Sequence, residues 1–579
     1  MTPWGENLTP ENAWTEYPRP QLARDEWTNL NGLWDYAVSA ANDDVPAKWD
    51  GKILVPFAIE SALSGVGRLL QAEEQLWYRR EFRLAEAPRR GRRLALHFGA
   101  VDYRTQVFVN GVEVTDAPHV GGNIPFSIDI TGAVVAGVNE LVVAVWDPTG
   151  KNGQALGKQD VEPHACFYTR VSGIWQTVWL EETAEVFIKN YRVGTDIDAG
   201  VATVSVELSG WTDSDVLVEV FDGAKRVAAK SAAPGETVAL PIGKAKLWSP
   251  GKPFLYELRL RLADGSDSAR GYFGMRKIEM REGSGGRPRL FFNNEELFQF
   301  GTLDQGWWPD GLLTPPSDDA MAADIQLLKD CGFNMMRKHI KIEPLRYYHL
   351  CDKLGILLWQ DMPSGWGDSN ARYAEYRAEL AQMLDLLCNV PSIIAWVPYN
   401  ESWGQPPAAK TNQTLRWVKR RDPSRLVDGP SGWDDFGVGD MKDAHNYPAP
   451  KLPPPDAPAT GRASVLGEFG GIGLAVKDHL WMKPADPADG IGGATANGQT
   501  NWGYVSDDDA AASFARLKKL LADMRPLVRD GLAAAVYTQT TDVEIEINGL
   551  TTYDRKVIKY PVEKLRKLVT EFTGKKTRK

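Results

Sequence analysis

The chain has 579 residues, a formal net charge of −10 and four cysteines, and 43% of its residues are hydrophobic. Its length exceeds what one hydrophobic core supports, so we expect roughly two to four domains. The acidic charge argues against a nucleic-acid partner, because such binding depends on clustered Lys and Arg. The scattered cysteines show no C-x-x-C spacing, which indicates neither a disulfide framework nor a zinc site.

The amino-terminal segment MTPWGENLTPENAWTEYPRP has neither a basic start nor an apolar run. No uninterrupted apolar stretch of about 18 residues occurs anywhere in the sequence, so we expect no signal peptide and no membrane partner. A cytoplasmic protein fits these features best. A secreted or periplasmic protein whose leader has been trimmed would look the same.

The first part of the chain, residues 1–185, contains short alternating runs such as WYRREFRL, TQVFVNGVEV and NELVVAVWD. Their spacing predicts an antiparallel β-sandwich. The pair Asn110 and Gly111 predicts a tight hairpin, because both central positions of a type I′ turn need positive φ. Residues 186–283 repeat this pattern on a smaller scale, which favours a second sandwich of immunoglobulin size.

Residues 284–579 alternate strand-like apolar runs with amphipathic stretches, including SDDAMAADIQLLKDCGF, ARYAEYRAELAQMLDLLCNV, FARLKKLLADM and VEKLRKLVTEF. This alternation indicates parallel βα units. Eight strands can be counted, which predicts a (β/α)8 TIM barrel. The strands are LFQFGTLDQ, NMMRKHI, ILLWQDMP, IIAWVPYNE, RLVDGPSGW, DAHNYP, SVLGEFGG and AAAVYTQTTD.

Most of these predicted strands finish in polar or aromatic residues. The carboxyl ends of the strands line the active-site face of such a barrel, so these residues are candidates for a site. They are Asp304, Arg337, His339, Asp361, Asn400, Glu401, Trp433, His445, Tyr447, Glu468, Gln539 and Asp542.

Two strand ends carry a glutamate framed by small or polar residues, Glu401 in PYNESWG and Glu468 in VLGEFGG. Strands four and seven end across the barrel mouth from each other, so both carboxylates can face one ligand. Cleavage of a glycosidic bond needs one carboxyl as proton donor and a second as nucleophile or base, and it needs no metal. Asn400 can hydrogen-bond a neighbouring sugar hydroxyl, and Arg337 can keep Glu468 ionised.

The segments PSIIAWVPYNESWG and LGEFGG resemble the acid/base and nucleophile motifs of glycoside hydrolase family 2. The segments YPRPQLARDEWTNLNGLWDY and LWYRREFRL resemble the sugar-binding jelly roll of that family. Its immunoglobulin-like middle domain is resembled by LWSPGKPFLYELRLRL and GYFGMRKIEM. The resemblance therefore implies a jelly roll at 1–185, an immunoglobulin-like sandwich at 186–283 and a catalytic barrel at 284–579.

The resemblance also implies roles for single residues. Glu401 is expected to be the general acid/base and Glu468 the nucleophile, with Asn400 on the 2-hydroxyl, Tyr447 near the nucleophile, and retention of configuration. Many members carry Arg, two small residues and His-Tyr-Pro after strand two. The segment NMMRKHIKIEP has one spacer fewer, which supports Arg337 better than His339.

Two other features of the family are missing from this sequence. Members resembling β-glucuronidase hold the substrate carboxylate with an Asn-x-Lys pair, and no Asn here is followed two positions later by Lys, which disfavours a glucuronide. No Glu/His set resembles the magnesium site of the large β-galactosidases. We therefore expect no metal and no other cofactor.

Each further substrate-binding candidate could have a structural role instead. Aromatic faces can stack on sugar rings, but tryptophan is also a common core residue. An aspartate at the barrel rim can bind a hydroxyl or cap the next helix, and a histidine can be a satisfied structural group. Five tryptophans are alternative candidates for covering the sugar subsite, and the sequence does not rank them: Trp359, Trp366, Trp396, Trp433 and Trp502. The segment NGQTNWGY at 497–504 predicts a loop that covers the pocket. The candidates retained are Asp304, Asp361, His445, Trp308, Trp433 and Trp502, beside Asn400, Arg337, His339 and Tyr447.

These observations favour an exo-acting retaining β-glycosidase that removes a neutral sugar, with β-galactosidase as the leading hypothesis. Galactofuranose, mannose and arabinose remain open as the sugar, and glucuronic acid is less favoured. A non-catalytic carbohydrate-binding protein is the alternative outside the enzymes, because a fold alone does not guarantee activity. The expected partner is a carbohydrate, and the sandwiches make a homo-oligomer possible.

Overall fold

The computed structural model describes residues 1–41, 44–150, 152–283, 285–364, 372–454, 461–481 and 501–574. Trp366 and the first four residues of the expected pocket-covering loop, 497–500, lie outside these ranges. No helix within them combines the length and the apolar character that a membrane crossing requires.

The first domain is a sandwich of a four-stranded and a seven-stranded antiparallel sheet, as the alternating runs predicted. Its core lies between the sheets and contains Trp34, Tyr78 and Phe98. The predicted hairpin is present, with φ of 51° at Asn110 and 78° at Gly111. The strands, including short pairs outside the two sheets, are Thr28–Asn29, Gly32–Ala40, Gly51–Val55, Glu74–Leu84, Arg92–Phe98, Val101–Asp102, Arg104–Val109, Val112–Glu113, His119–Val120, Phe126–Asp129, Gly137–Trp146, Gln159–Asp160, Tyr168–Thr169, Gly173–Ile174 and Val178–Ala184.

The second domain is a smaller sandwich of a three-stranded and a four-stranded sheet. Its strands bury every second residue, as Tyr256, Leu258, Leu260 and Leu262 show, because successive side chains of a strand point to opposite faces. The strands, including a short pair outside the sheets, are Ile188–Asp196, Val201–Leu208, Val216–Asp222, Lys225–Ala232, Thr237–Pro241, Trp248–Ser249, Lys252–Pro253, Tyr256–Leu262 and Ser268–Phe273.

An additional three-stranded antiparallel sheet closes one end of the barrel, and the sequence pattern did not predict it. It consists of Ile278–Glu282, Pro288–Phe292 and Glu295–Glu296. Leu290 and Phe292 of this sheet share one apolar core with Met335, Leu357 and Val536 of the barrel strands. The barrel interior is therefore filled at this end, which leaves the opposite end for a site.

The third domain is a barrel sheet of eight parallel strands, and each lies where the sequence predicted it. The sheet runs in the order five, four, three, two, one, eight, seven, six, and a single bridge between Asp428 and Met441 joins strands five and six. Strands one to eight are Gln299–Asp304, Met335–Lys338, Leu357–Asp361, Ile393–Val397, Leu426–Val427, Met441–Asn446, Ala463–Gly470 and Leu532–Thr538.

Six α-helices surround the barrel within the described residues. Ser317 begins the first by accepting a hydrogen bond from the backbone of Ala320, and Asp509 caps the fifth in the same way. The connections from strand five to six and from six to seven contain no helix in their described parts. The helices are α1 Asp318–Asp330, α2 Leu345–Leu354, α3 Tyr373–Leu386, α4 Ala408–Arg421, α5 Ala510–Asp530 and α6 Val562–Thr573.

A segment of the first domain reaches the mouth of the barrel. We call residues 152–170 the mouth loop. Gly157 of this loop donates its backbone N–H to the carbonyl of Ser364, which follows strand three, at 2.9 Å. Trp502, which precedes α5, donates its indole N–H to the carbonyl of Ala165 at 3.3 Å. The site at the mouth is thus bounded by two domains.

Candidate active site

Strands four and seven bring Glu401 and Glu468 together, as the sequence predicted for opposite strand ends. A carboxylate oxygen of each lies within 4.8 Å of the other and of a ring nitrogen of His445. Glu468 is 4% exposed, and the side chain of Glu401 is 14% exposed. The same three groups are ligand types that could accept a metal ion.

The backbone directs both glutamates. Glu401 and Ser402 adopt φ of 46° and 64°, a left-handed conformation that is uncommon outside glycine and often marks functional sites. The backbone N–H of Glu401 holds this turn by donating to the carbonyl of Ser431 at 2.9 Å. Strand seven carries a register irregularity beside Glu468, between Leu466 and Phe469. Such bulges often re-aim a side chain beside an active site.

His445 lies between the two carboxylates. Its Nδ1 is 2.7 Å from Oε1 of Glu401 and 3.5 Å from Oε1 of Glu468. Burial opposes the charged imidazolium, but Glu468, Glu401 and Asp443 outweigh it and raise the pKa of His445. The hydroxyl of Ser431 donates to Asp443 at 2.5 Å, which leaves its oxygen to accept Nε2–H of His445 at 2.8 Å.

Glu468 is surrounded by donors. Tyr447 donates its hydroxyl to Oε2 at 2.6 Å, and Nη1 of Arg337 donates to Oε1 at 3.3 Å. Burial would raise the pKa of Glu468, but His445, Arg337 and the hydrogen bond from Tyr447 lower it to about 2. Glu468 is therefore ionised at neutral pH, as the sequence had suggested for a carboxylate beside Arg337.

Arg337 is fully buried and orders the floor of the site. It binds Asp361 through Nε and Nη2, the latter at 2.9 Å, and it donates from Nη2 to Oδ1 of Asn400 at 2.7 Å. Asp361 also contacts Nδ1 of His339 at 3.1 Å. Burial lowers the pKa of His339 well below its ordinary value, so this imidazole is neutral and donates to Asp361.

The side-chain amide of Asn400 keeps a hydrogen-bond donor for a ligand. Its Oδ1 accepts from Arg337, but its amide nitrogen is buried and has no hydrogen-bond partner among the described residues. A buried donor without a partner costs roughly 1–3 kcal/mol of desolvation, so a ligand hydroxyl at this position is favoured.

Aromatic side chains form one wall of the mouth. Tyr447 stacks on Tyr504, with ring centroids 3.5 Å apart, and Tyr504 meets Trp502 edge to face at 5.2 Å. Trp403, two residues beyond Glu401, is buried beside His339 with ring centroids 6.4 Å apart. Tyr504 and Trp403 were not among the sequence candidates, although both lie within the motifs that were singled out.

Three of the substrate-binding candidates lie in other environments. Both oxygens of Asp304 are engaged, one by the backbone of Gly306 at 3.0 Å and one by Lys338 at 2.5 Å. Trp308 is 3% exposed and packs in the barrel core, with the guanidinium of Arg555 3.9 Å from its ring centroid. Trp433 is 60% exposed at the rim beyond strand five.

Gly467 is required by packing against Asp443. A Cβ at Gly467 would lie 2.0 Å from Oδ2 of Asp443, whose other oxygen accepts the backbone N–H of Gly467. The sequence suggested that glycines here let substrate approach Glu468. The contact with Asp443 supplies a structural reason for the first of them.

Lys158 of the mouth loop is a site residue that sequence reasoning missed. It is 6% exposed, and its Nζ lies 5.5 Å from the ring centroid of Tyr168 and 5.6 Å from that of Trp403. Burial opposes its charge, but Cys166 and nearby glutamates, including Glu468, raise its pKa. No local pattern in the first domain could reveal that this lysine meets the barrel.

Three family models match the chain in the order of its domains. They are the sugar binding domain of glycosyl hydrolases family 2 at residues 67–184, glycosyl hydrolases family 2 at 186–276, and the TIM barrel domain of glycosyl hydrolases family 2 at 316–435. The chain belongs to glycoside hydrolase family 2. The family and the three-domain architecture expected from the sequence are thereby confirmed.

Relatives within the family carry different names. A β-glucuronidase of Paenibacillus borealis is 25% identical over 71% of this chain and 74% of its own length. A β-galactosidase of Thermoanaerobacter pseudethanolicus is 27% identical over 56% of this chain and 44% of its own length. This chain also spans only 40% and 34% of the length of two Formosa agariphila relatives.

The fold has close counterparts among solved structures. The Lactobacillus rhamnosus β-glucuronidase superimposes with a TM-score of 0.75 at 19% identity, covering 96% of this chain and 99% of the other. At this identity the match describes the fold alone.

Proposed function

We propose that this chain is a retaining exo-β-glycosidase in which Glu468 is the nucleophile and Glu401 the general acid/base. The separation of the two carboxylates carries the proposal. One oxygen of each lies within 4.8 Å of the other, which agrees better with the about 5–5.5 Å between the carboxyl groups of retaining enzymes than with the about 6.5–9.5 Å of inverting enzymes, where a water lies between them.

In the first step Glu401 gives its proton to the glycosidic oxygen while Glu468 attacks the anomeric carbon. The bond to the leaving group breaks, and a covalent glycosyl ester forms on Glu468. In the second step Glu401 removes a proton from a water, which attacks the anomeric carbon and releases Glu468. Configuration is inverted twice and therefore retained.

The surroundings of Glu468 and Asn400 suit the roles proposed for them. The low pKa of Glu468 keeps the nucleophile ionised. Tyr447 holds Oε2 at 2.6 Å, whereas Oε1 accepts the longer hydrogen bond from Arg337 at 3.3 Å and is the less tightly held oxygen. The unpartnered amide of Asn400 can donate to the 2-hydroxyl, where a hydrogen bond that strengthens in the transition state contributes several kcal/mol in such enzymes.

Two classes of terminal sugar fit the proposal, a neutral galactose and a uronic acid. The missing Asn-x-Lys pair favours β-galactoside over β-glucuronide. Relatives named β-glucuronidase favour the uronide at least as strongly. Nitrophenyl β-galactoside, β-glucuronide and β-galacturonide should be compared directly.

The roles of the glutamates are tested with Glu468→Ala and Glu401→Ala, with exposed Glu26→Ala as the matched control. We expect the first two variants to lose activity and the control to keep it. Azide should restore turnover in both, giving the α-glycosyl azide from Glu468→Ala and the β-glycosyl azide from Glu401→Ala. Unchanged activity in Glu468→Ala, or an α-sugar as the first product of the wild type by NMR, would refute the proposal.

A further inference from the structure

One buried lysine, Lys158, lacks the ion pair to a described residue that the other buried lysines form. Within the described residues, Lys338 binds Asp304 and Glu343, Lys341 binds Glu343, and Lys559 binds Asp542. Lys158 is also buried, but its ammonium forms no hydrogen bond and no ion pair with any described residue.

The position of Lys158 is fixed by its backbone. The preceding residue, Gly157, donates to Ser364 of the barrel, and the carbonyl of Lys158 accepts the backbone N–H of Tyr168 at 2.8 Å. A Cβ at Gly157 would lie 2.7 Å from the carbonyl oxygen of Ile340, which shows how closely the mouth loop approaches the barrel. Lys158 is therefore held at the mouth by contacts on both sides.

The ammonium belongs to the site of the two glutamates. It lies over the rings of Tyr168 and Trp403, and Trp403 is two residues beyond Glu401. The charges of Glu546, Glu468 and Glu401 all act on Lys158. None of them is bonded to it, and Glu546 instead accepts the hydroxyl of Tyr168 and the amide of Asn548.

A buried charge without a bonded counter-ion is unfavourable, and a ligand that supplies one is correspondingly favoured. Sugar hydroxyls can accept hydrogen bonds from an ammonium but cannot neutralise it. A carboxylate does both, and charge-assisted hydrogen bonds are roughly twice as strong as neutral ones. Aromatic rings beside the ammonium exclude water, which strengthens such a pair further.

We propose that Lys158 binds the carboxylate of a terminal uronic acid, so that the substrate is a β-glucuronide or β-galacturonide. This inference rests on the proposed glycosidase function and names its substrate class. The first domain would thereby supply the cation, since this sequence has no Asn-x-Lys pair to supply it.

The test compares wild type, Lys158→Met and Lys158→Arg on nitrophenyl β-glucuronide, β-galacturonide and β-galactoside. Lys158→Met should lower kcat/KM for the preferred uronide by about 100-fold or more, with less than about threefold change for the galactoside. Lys158→Arg keeps the charge and should retain more uronide activity than Lys158→Met. Exposed Lys48→Met is the matched control and should behave as wild type.

A binding measurement separates this inference from the proposed function. Sodium glucuronate and galacturonate should raise the Tm of the wild type more than galactose does, and this difference should vanish in Lys158→Met. If no glycoside is hydrolysed but uronate binding depends on Lys158, the proposed function and the assignment of a substrate fail, and only the uronate site at Lys158 stands.

Other results overturn the inference and leave the function intact. One is a wild type that hydrolyses the galactoside but neither uronide. Another is a Lys158→Met variant that loses galactoside and uronide activity equally, with a lower Tm that Glu546→Gln reverses. That result would make Lys158 a counter-charge for Glu546 alone.

Discussion

Replacing His445 by Asn should raise the pH at which activity is lost on the acid side. His445 is the strongest of the charges that lower the pKa of Glu468, and its Nδ1 is 3.5 Å from the carboxylate. The pKa of Glu468 is about 2, against an ordinary value of 4.5. Without the imidazolium of His445, burial is opposed by fewer groups, Arg337 and the Tyr447 hydrogen bond among them, and the pKa should rise by about 1–2 pH units.

The assay is the pH dependence of kcat/KM between about pH 3 and 7, with an activated nitrophenyl glycoside. The wild type should keep its full kcat/KM down to a lower pH than the variant does, because protonated Glu468 cannot attack the anomeric carbon. His479→Asn is the matched control, since His479 contacts Asp554 at 2.8 Å and neither glutamate.

Stability must be followed in the same buffers, because both groups also contribute to folding. The lowered pKa of Glu468 stabilises the fold above about pH 4.5, and this contribution is lost as the pH falls towards about 2. The raised pKa of His445 stabilises the fold below about pH 6.5, and this contribution is lost as the pH rises through the raised value. If the folded variant loses rate equally at every pH, with its acid limb unmoved, His445 does not set the ionisation of Glu468.

Three further changes have defined outcomes. Tyr447→Phe removes the donor to Glu468 and should lower both kcat, about 10- to 100-fold, and Tm, since hydrogen bonds to charged groups contribute about 1.5–3 kcal/mol. Gly467→Ala should reduce the free energy of unfolding by about 1–3 kcal/mol, because its Cβ would overlap Asp443, whereas Gly132→Ala, with open space around it, should be neutral in a denaturant titration. EDTA should leave the rate unchanged, and added zinc should inhibit by binding the two glutamates and the histidine between them, which an inhibition assay at fixed substrate can measure.

The barrel could be predicted from the sequence because its strands are buried on both faces. Strand four, Ile393–Val397, and strand seven, Ala463–Gly470, read as apolar runs that stop at polar residues. The rest of the fold depends on less regular signals. Helices α2 and α4 were not among those predicted, and α4 begins after Pro407 with the largely polar stretch AAKTNQTLRWVKRR.

The candidate site was predictable to the extent that its residues end strands. Glu401, Glu468, Arg337 and His445 lie at one edge because parallel strands all end there. Trp308 was selected by the same rule but lies in the core, since a residue just beyond a strand can turn either way. Contacts between domains leave no local pattern in a sequence, so Lys158 could not be found.

The charges around the two glutamates explain why a cation from another domain matters. Arg337 is already committed to Asp361, Asn400 and Glu468, and His445 is committed to Glu401 and Glu468. A uronic acid would bring a further negative charge towards an ionised nucleophile and would be repelled by it. Lys158 is buried near the site and forms no ion pair with any described residue. Replacing it should therefore weaken the binding of an acidic sugar more than the binding of a neutral one.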